Sequence, residues 1–203
     1  MGNIFKSLVL LCLLSTSVNA QTWGLGFRLG DPSGITVKKY WGGHAFEVSL
    51  GRTHVFNGPA YYSGHYDHWY EDQHFDYPAH EYLNYRASSA IGLQAHYLVQ
   101  KDVKNAGGLD WYYGFGGQIR SLQYYYDYRY KPGPGPEWVV VHDEHVTEVD
   151  LGLDGVVGIE YKFTDAPIAL FLDATLFMEV FDNPFVFWPQ MGLGARYNFG
   201  GSK

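Results

Sequence analysis

The sequence has almost no cysteine. Its 203 residues contain a single one, Cys12, which lies in an apolar segment near the N-terminus. Residues 1–20 have the pattern of a cleavable secretory signal peptide, because the basic residue Lys6 precedes a short apolar run and a small-residue cleavage site. The predicted mature chain, residues 21–203, therefore contains no cysteine, which excludes disulfide bonds and thiolate metal sites. We expect this mature chain to form a single domain.

Long apolar runs and basic clusters are also missing. After residue 20, no apolar segment approaches the roughly 20 residues that a membrane-spanning helix needs. Acidic residues outnumber lysine and arginine by 21 to 14, and the formal net charge is -7. This acidic balance argues against nucleic acid as a partner.

Aromatic residues and glycine, in contrast, are abundant, and apolar and polar residues alternate in short segments. Aromatic residues make up 18% of the chain, and 25 residues are glycine. In the clearest segment, residues 149–161, nearly every odd position is apolar, whereas glycine and acidic residues occupy most even positions. Eight such segments lie between Trp23 and Phe199, and this period of two predicts eight β-strands that each have one apolar face.

The second face of these strands is charged. Its charged residues are Arg28, Glu47, Asp110, Arg120, Asp154, Glu160, Asp173, Glu179 and Arg196. A soluble ligand-binding barrel has the same period with its apolar face turned inward. So many charges do not suit an apolar pocket, but they suit a polar lumen. The sequence therefore predicts an all-β fold, an eight-stranded antiparallel up-and-down transmembrane β-barrel with its apolar face toward lipid.

The interior of an eight-stranded barrel is just wide enough for side chains to fill it. Acidic and basic residues of the predicted lumen therefore have their most favourable arrangement in mutual pairing. We expect Arg28, Asp154, Asp173 and Arg196 to belong to a packed ion-pair network that stabilises the barrel. A narrow ion path along the same residues is the alternative.

The connections between the predicted strands alternate between short and long. Short periplasmic turns are expected at residues 42–44, 101–108 and 164–167, and long extracellular loops at residues 55–86 and 130–146. This asymmetry is typical of outer-membrane barrels.

Aromatic residues near the strand ends are expected to form belts at the two membrane interfaces. Trp41 and Trp111 fall near the periplasmic ends of their strands, and Tyr124 and Trp188 near the outer ends.

The two long loops are rich in tyrosine, tryptophan and histidine. Their histidines include His65, His68, His74, His80, His142 and His145. Imidazoles with nearby carboxylates suit zinc, copper or nickel. On this ground His65 and His68 could bind an ion together with His142 or His145. The spacing matches no defined zinc motif, however, and an interaction surface for lipopolysaccharide or a protein uses the same residue types. We favour the interaction surface and expect no other cofactor.

Two segments resemble a known family. The opening Gly-Phe-Arg-Leu-Gly-Asp-Pro-Ser-Gly at residues 26–34 and the ending Gly-Leu-Gly-Ala-Arg-Tyr-Asn-Phe at residues 192–199 resemble the first and last strands of small Gram-negative outer-membrane β-barrels, OmpA- or OmpX-like in size. The resemblance implies a location in the cell outer membrane and insertion by the outer-membrane assembly machinery. It also implies that the terminal aromatic residues Tyr197 and Phe199 form part of the assembly signal.

The sequence thus favours a structural or interaction protein whose loops contact lipopolysaccharide or a protein partner, such as another outer-membrane protein. Transport of a small solute or hydrophobic compound is an alternative from a different class. A lipid A-modifying enzyme is a third hypothesis, for which Ser63 and His65 are the only close nucleophile and base in an outer loop. We predict no catalytic residues.

Overall fold

The structure is a closed antiparallel barrel. It is a computed structural model that describes residues 22–54, 59–73, 75, 77, 79–181 and 185–200. The predicted signal peptide, residues 1–20, lies outside the described residues. The strands are β1 (Thr22–Gly30), β2 (Ser33–Trp41), β3 (His44–Arg52), β4 (Ala79–Asp102), β5 (Leu109–Lys131), β6 (Val139–Lys162), β7 (Ile168–Phe181) and β8 (Phe187–Phe199), and the helix α1 spans Pro59–Asp72.

Each strand pairs with the next along the chain, and β8 pairs with β1 to close the ring. This confirms the predicted eight-stranded up-and-down barrel, whose closure leaves no open sheet edge around the membrane-spanning part. The short turns lie at 42–43, 103–108 and 163–167, within two residues of their predicted positions. The part of the chain described here contains no helix that is long and apolar enough to cross a membrane.

The outer surface of the barrel is a continuous apolar belt. Phe115 and Leu153, on two of the central strands, face outward and are 70% and 59% exposed. On β6 the belt runs for 13 residues, from Val149 to Tyr161. At a rise of about 3.3 Å per residue and a tilt of about 45°, this length spans about 28 Å, close to the thickness of the hydrocarbon core of a bilayer. The apolar face therefore points outward, as the sequence predicts.

Three strands continue beyond the belt. On the outward face, Ser121, Gln123 and Thr147 replace the apolar residues found lower on β5 and β6. The strands nevertheless stay paired, out to Ala79 with Lys131. We call residues 79–90 of β4, 120–131 of β5 and 139–150 of β6 the head sheet, and the head sheet with α1 the head.

The prediction of long loops at residues 55–86 and 130–146 is therefore wrong for most of both segments. Helix α1 lies within the first, and β4 begins at Ala79; the second is strand except for the turn at 132–138. Tyrosine-rich and β-branched segments favour strands wherever a neighbouring strand and a packing surface are present. Both are available here, because β4 to β6 pair with one another and α1 covers their inner face.

A cluster of tyrosines joins α1 to the head sheet. Tyr62, Tyr66 and Tyr70, four residues apart on one side of α1, pack against the inner tyrosines of β5. The rings of Tyr66 and Tyr126 meet edge to face, with centroids 5.3 Å apart, and the Tyr126 hydroxyl donates a hydrogen bond of 2.8 Å to the carbonyl of Tyr62. We call this cluster the tyrosine core. The inner face of the head sheet continues the lumen face of β5, so α1 lies above the lumen.

Tyr124 also belongs to the tyrosine core, so its predicted place in an outer aromatic belt is wrong. Its even position puts the ring on the inner face of β5, with the lumen residue Gln118 and the other even-numbered residues of that strand.

A charge placed in the apolar belt should destabilise the barrel strongly. We expect Leu153→Arg to lower the free energy of unfolding by about 2–4 kcal/mol, because its guanidinium would lie in hydrocarbon. Gln123→Arg, on the same face of the head sheet, is the matched control and should change it by less than about 0.5 kcal/mol. Urea unfolding in phospholipid vesicles measures both, and equal effects would contradict the outward sidedness of the belt.

Candidate functional site

The lumen is filled by charged side chains that pair with one another. Arg28 on β1 donates two hydrogen bonds, of 2.6 and 2.7 Å, to the carboxylate of Asp173 on β7. Tyr112 donates a further bond of 3.2 Å to the same carboxylate. The guanidinium lies directly on Gly192, where an added Cβ would be 2.1 Å from Arg28 Cζ. Glycine at position 192 therefore makes room for the ion pair.

A second group of charges closes the half of the lumen nearer the short turns. Arg196 donates to Glu160 at 2.8 Å and is also bonded to Glu47. Lys38 and Tyr40 donate to the same Glu160 oxygen at 3.1 and 3.0 Å. The side chains of Lys38 and Glu160 are 0% exposed, so solvent reaches this pair from neither end of the lumen.

Two further pairs lie in the half of the lumen nearer the head. His96 Nε2 is 2.9 Å from an Asp154 oxygen, and Arg120 is 2.9 Å from Asp150. The Arg120 guanidinium also lies 4.1 Å from the centre of the Phe177 ring. Arg120 therefore has both a carboxylate and an aromatic partner.

The remaining two charged residues predicted in the lumen lie at its opposite ends. Asp110 accepts a hydrogen bond of 2.6 Å from Lys162 near the short turns. Glu179 is buried at the other end, beside the head. All nine charged residues that the sequence analysis assigned to the second face are thus buried inside the barrel.

Sequence reasoning missed Lys38, His96 and Asp150 as members of these pairs. Asp150 lies in steps of two from the predicted lumen residue Asp154 on the same strand. Lys38 and His96 lie on β2 and β4, which contain no predicted lumen charge, and there the alternation with outward apolar residues is the only signal. Lys38 is not among the charged residues predicted for the lumen. Its neighbour Lys39 lies on the outer face, where its ammonium is 5.2 Å from the Trp23 ring.

A cavity of 270 Å³, which we call the outer cleft, opens at the mouth of the barrel beside the head. One wall is α1, another is the outer part of β6, and Glu179 of β7 and Trp188 of β8 complete the lining. Its lining includes Asp72, Glu144, Glu148 and Glu179, together with Trp69 and Trp188. The outer cleft is therefore acidic and has aromatic walls.

Three of the predicted loop histidines line the outer cleft. They are His65 and His68, one turn apart on α1, and His145 on β6. The His65 ring lies 6.5 Å from that of Trp188, and His68 Nε2 is 3.8 Å from an Asp72 oxygen.

The other predicted loop histidines lie elsewhere. The His80 ring stacks on Tyr70 in the tyrosine core, with centroids 3.9 Å apart. His142 is exposed, 3.7 Å from Asp127, and does not line the outer cleft. His74 lies outside the described residues. Within the described ranges, no group of three or more histidine, cysteine, aspartate or glutamate side chains is arranged to hold a metal ion, and metal capture stays a prediction.

Ser63 and His65 are not brought together as a nucleophile and base. They are two residues apart on α1, and such positions are about 200° apart around a helix. Ser63 is exposed, whereas His65 lines the outer cleft.

Tyr197 and Phe199 lie at the short-turn end of β8, on the outward face. They pair with Leu25 and Trp23 of β1, at the seam that closes the barrel. Their part in an assembly signal stays a prediction.

Removing one partner from the lumen network should destabilise the barrel without opening it. Asp173→Asn leaves Arg28 buried without its counter-charge, and we expect the free energy of unfolding to fall by about 3–5 kcal/mol. Neither the wild type nor the variant should give steady conductance in planar bilayers, because the second group of charges still blocks the lumen. Asp165→Asn, in an exposed turn, is the control; a steady channel in the wild type would contradict the sealed lumen.

The tyrosine core should loosen at alkaline pH. Burial, and then the nearby Glu144 carboxylate, raise the pKa of Tyr128 to about 12. The neutral hydroxyl is thus favoured in the folded head, so its stabilising effect is complete below pH 10 and is lost as the pH rises toward 12. Near-ultraviolet circular dichroism should show the loss of tyrosine packing in this window, and Tyr128→Phe should move the midpoint upward. Loss of packing below pH 10 would contradict this prediction.

Comparisons with known proteins identify the fold. No protein-family model matches the sequence, and no curated protein matches it. The N-terminal β-barrel domain of Pseudomonas aeruginosa OprF matches with a TM-score of 0.53 and 11% identity, over 89% of this chain and 98% of that domain. The attachment invasion locus protein Ail of Yersinia pestis matches at a TM-score of 0.47 and 9% identity, over 90% of this chain and all of Ail. The protein thus has the fold of the small eight-stranded outer-membrane β-barrels.

Proposed function

We propose that the protein is an outer-membrane anchor that presents a rigid extracellular head to a protein partner. One observation carries the proposal: the lumen is closed by buried ion pairs, whereas three strands and a helix form an ordered structure beyond the apolar belt. In this proposal the barrel holds the head in the membrane, and the head performs the recognition.

The packing of the lumen supports an anchor over a transporter. Arg28, Arg196, Lys38 and Glu160 are almost completely buried, and each is held by at least one partner from another strand. Moving a solute through this space would require several buried salt bridges to break together, which leaves uncompensated charges in a low-dielectric interior. Transport through the lumen is therefore the weaker proposal.

Apolar side chains exposed on the head support a recognition role. Leu83 and Val140 are 42% and 47% exposed, and Trp138 at the tip is 36% exposed. These residues lie above the belt, where lipid does not cover them. Apolar residues grouped on a water-facing surface are typical of protein interaction sites.

The charges of the head favour a protein over lipopolysaccharide. Phosphate groups of lipopolysaccharide need cations, but Arg86 is bonded to Asp143 at 2.7 Å and Arg129 to Glu81. Two of the head's guanidiniums are thus already engaged by carboxylates. Lipid A modification has still less support, because Ser63 and His65 point in nearly opposite directions.

Site-specific photo-crosslinking in living cells tests the proposal. A photoreactive amino acid at Leu83 or Val140 should give discrete protein adducts, because both side chains face outward on the head. The control is the same substitution at Asn105, in the turn between β4 and β5 at the opposite end of the barrel. Mass spectrometry identifies each adduct; adducts with lipopolysaccharide alone, or none beyond those of the control, would overturn the proposal.

A further inference from the structure

We infer that the lipid-facing surface at the short-turn end of strands β1 to β5 binds anionic glycerophospholipids, whose phosphate groups contact the ammonium groups of Lys39 and Lys101. The inference uses the orientation that is typical of outer-membrane barrels, with the short turns on the periplasmic side. It does not depend on the protein partner of the proposed function.

Both lysines lie on the outward face of the barrel. Lys39 pairs with Trp23 of β1 and with Phe46 of β3, and both of these neighbours are exposed. Lys101 pairs with Trp111, which is also exposed. Directly paired residues of adjacent strands project from the same face of a sheet, so the two lysines face lipid with the apolar belt. A lysine in this position extends its ammonium group to the nearest polar region.

The membrane interface at the short-turn end is that polar region. Strand β2 ends two residues after Lys39. The tryptophan that pairs with Lys101 also pairs with Ile159, two residues before the belt ends at Tyr161. Both ammonium groups are thus near the level at which the hydrocarbon core gives way to the phospholipid head groups. The phosphate is the anionic group of the lipid at this level.

Aromatic rings hold both ammonium groups on the barrel surface. The Nζ atom of Lys39 lies 5.2 Å from the centre of the Trp23 ring. The Nζ atom of Lys101 lies 5.8 Å from the centres of both the Trp111 and Tyr113 rings. An aromatic face attracts a cation but bears no net charge, so it positions the ammonium groups without neutralising them.

No carboxylate of the described residues forms an ion pair with Lys39 or Lys101. The lysine ion pairs in this part of the chain involve Lys38 and Lys162, on the lumen side of the sheet. Asp102 directly follows Lys101, but the alternation of the strand turns it to the inner face, where it lines a cavity with Lys162. The phosphate group of a lipid is therefore the available counter-charge for the two outward lysines.

A further donor lies beside Lys39. His44 pairs with Trp41, the last residue of β2. Its ring stacks on that of Tyr97 with centroids 5.6 Å apart, and its Nδ1 is 2.8 Å from the Tyr97 hydroxyl oxygen. In either tautomer of a neutral imidazole, this bond uses only one of the two hydrogens that the ring and the hydroxyl carry. The remaining N–H or O–H is a donor for a second oxygen of the lipid head group.

The rest of the circumference lacks this chemistry. On β6 to β8, the exposed outward residues at the same end are Tyr161, Ile168, Tyr197 and Phe199, and none of them is charged. Among the described strand residues at this end, outward lysines are thus confined to β2 and β4. The sites for anionic lipid are therefore on one side of the barrel.

The charge of these sites favours an anionic phospholipid. A zwitterionic phospholipid carries its own ammonium group, which competes with the lysines for its phosphate. An anionic phospholipid lacks that competitor, so it gains more from a nearby lysine. Lipopolysaccharide also carries phosphate groups, but it lies in the outer leaflet, at the end of the barrel that carries the head.

Native mass spectrometry of the full mature protein in mild detergent tests the inference. The protein is incubated with equal amounts of phosphatidylglycerol and phosphatidylethanolamine that have the same acyl chains. We expect phosphatidylglycerol to be retained about fivefold more, which corresponds to the effect of one lysine near an anionic lipid. An excess of inorganic phosphate should not displace it, because the acyl chains bind to the apolar belt.

Variants of the protein locate the sites. Lys39→Gln and Lys101→Gln should each reduce the preference for phosphatidylglycerol, and the double variant should abolish it. Lys39→Arg keeps the charge and should keep the preference. The matched control is Lys104→Gln, which removes the same charge from the exposed turn between β4 and β5 and should have no effect. Heat-dependent migration in SDS gels verifies that each variant contains the folded barrel.

The outcomes separate this inference from the proposed function. Equal retention of the two lipids by the wild type, or an equal loss of preference in Lys104→Gln and the double variant, would overturn the inference. Displacement by inorganic phosphate would reveal a simple anion site and would also overturn it. Absence of protein adducts at Leu83 and Val140 overturns the proposed function alone, because those residues lie on the head and not at the short-turn end.

Discussion

Closure of the sheet through the β1–β8 pairing is the constraint on which the rest of the structure depends. In hydrocarbon every backbone amide needs a partner, so the sheet must form a closed ring wherever its apolar face contacts lipid. Closure with eight strands leaves a narrow interior. Charged side chains that alternate with the apolar belt are consequently forced together inside the barrel. The ion pairs of the lumen thus follow from closure as well as from the residues that form them.

Those ion pairs explain why the barrel suits an anchor. Arg28 and Asp173, or Arg196 and Glu160, satisfy one another with short hydrogen bonds and little contact with water. Such pairs make a sealed lumen tolerable, because each charge has a partner that replaces its hydration. In the proposed function, recognition therefore belongs to the part of the molecule above the membrane.

The head continues the sheet of the barrel, but different side chains fill its inner face. Its sheet continues three membrane strands, with register shifts in the β4–β5 and β5–β6 pairings, and the inner face of β5 changes from charged residues to tyrosines. Tyrosine suits the inner face of β5 because the rings pack against α1, while the hydroxyls of Tyr124 and Tyr126 donate to Glu148 and to the carbonyl of Tyr62. Strand β6 extends beyond the end of its pairing with β7, and the outer cleft lies beside this part of β6.

The sequence by itself determined the number of strands, the outward sidedness of residues such as Leu153 and the inward sidedness of Arg28, because alternation is a local property of an extended chain. Alternation did not reveal helix α1, because aromatic residues and histidines on its other sides obscure the spacing of Tyr62, Tyr66 and Tyr70. Only the tertiary structure decided which charges pair, because Arg28 and Asp173 are 145 residues apart and meet only when the ring closes. It also decided that the long loops become sheet and that His65 and His145 share a cleft, because strand extension depends on neighbours from distant parts of the chain.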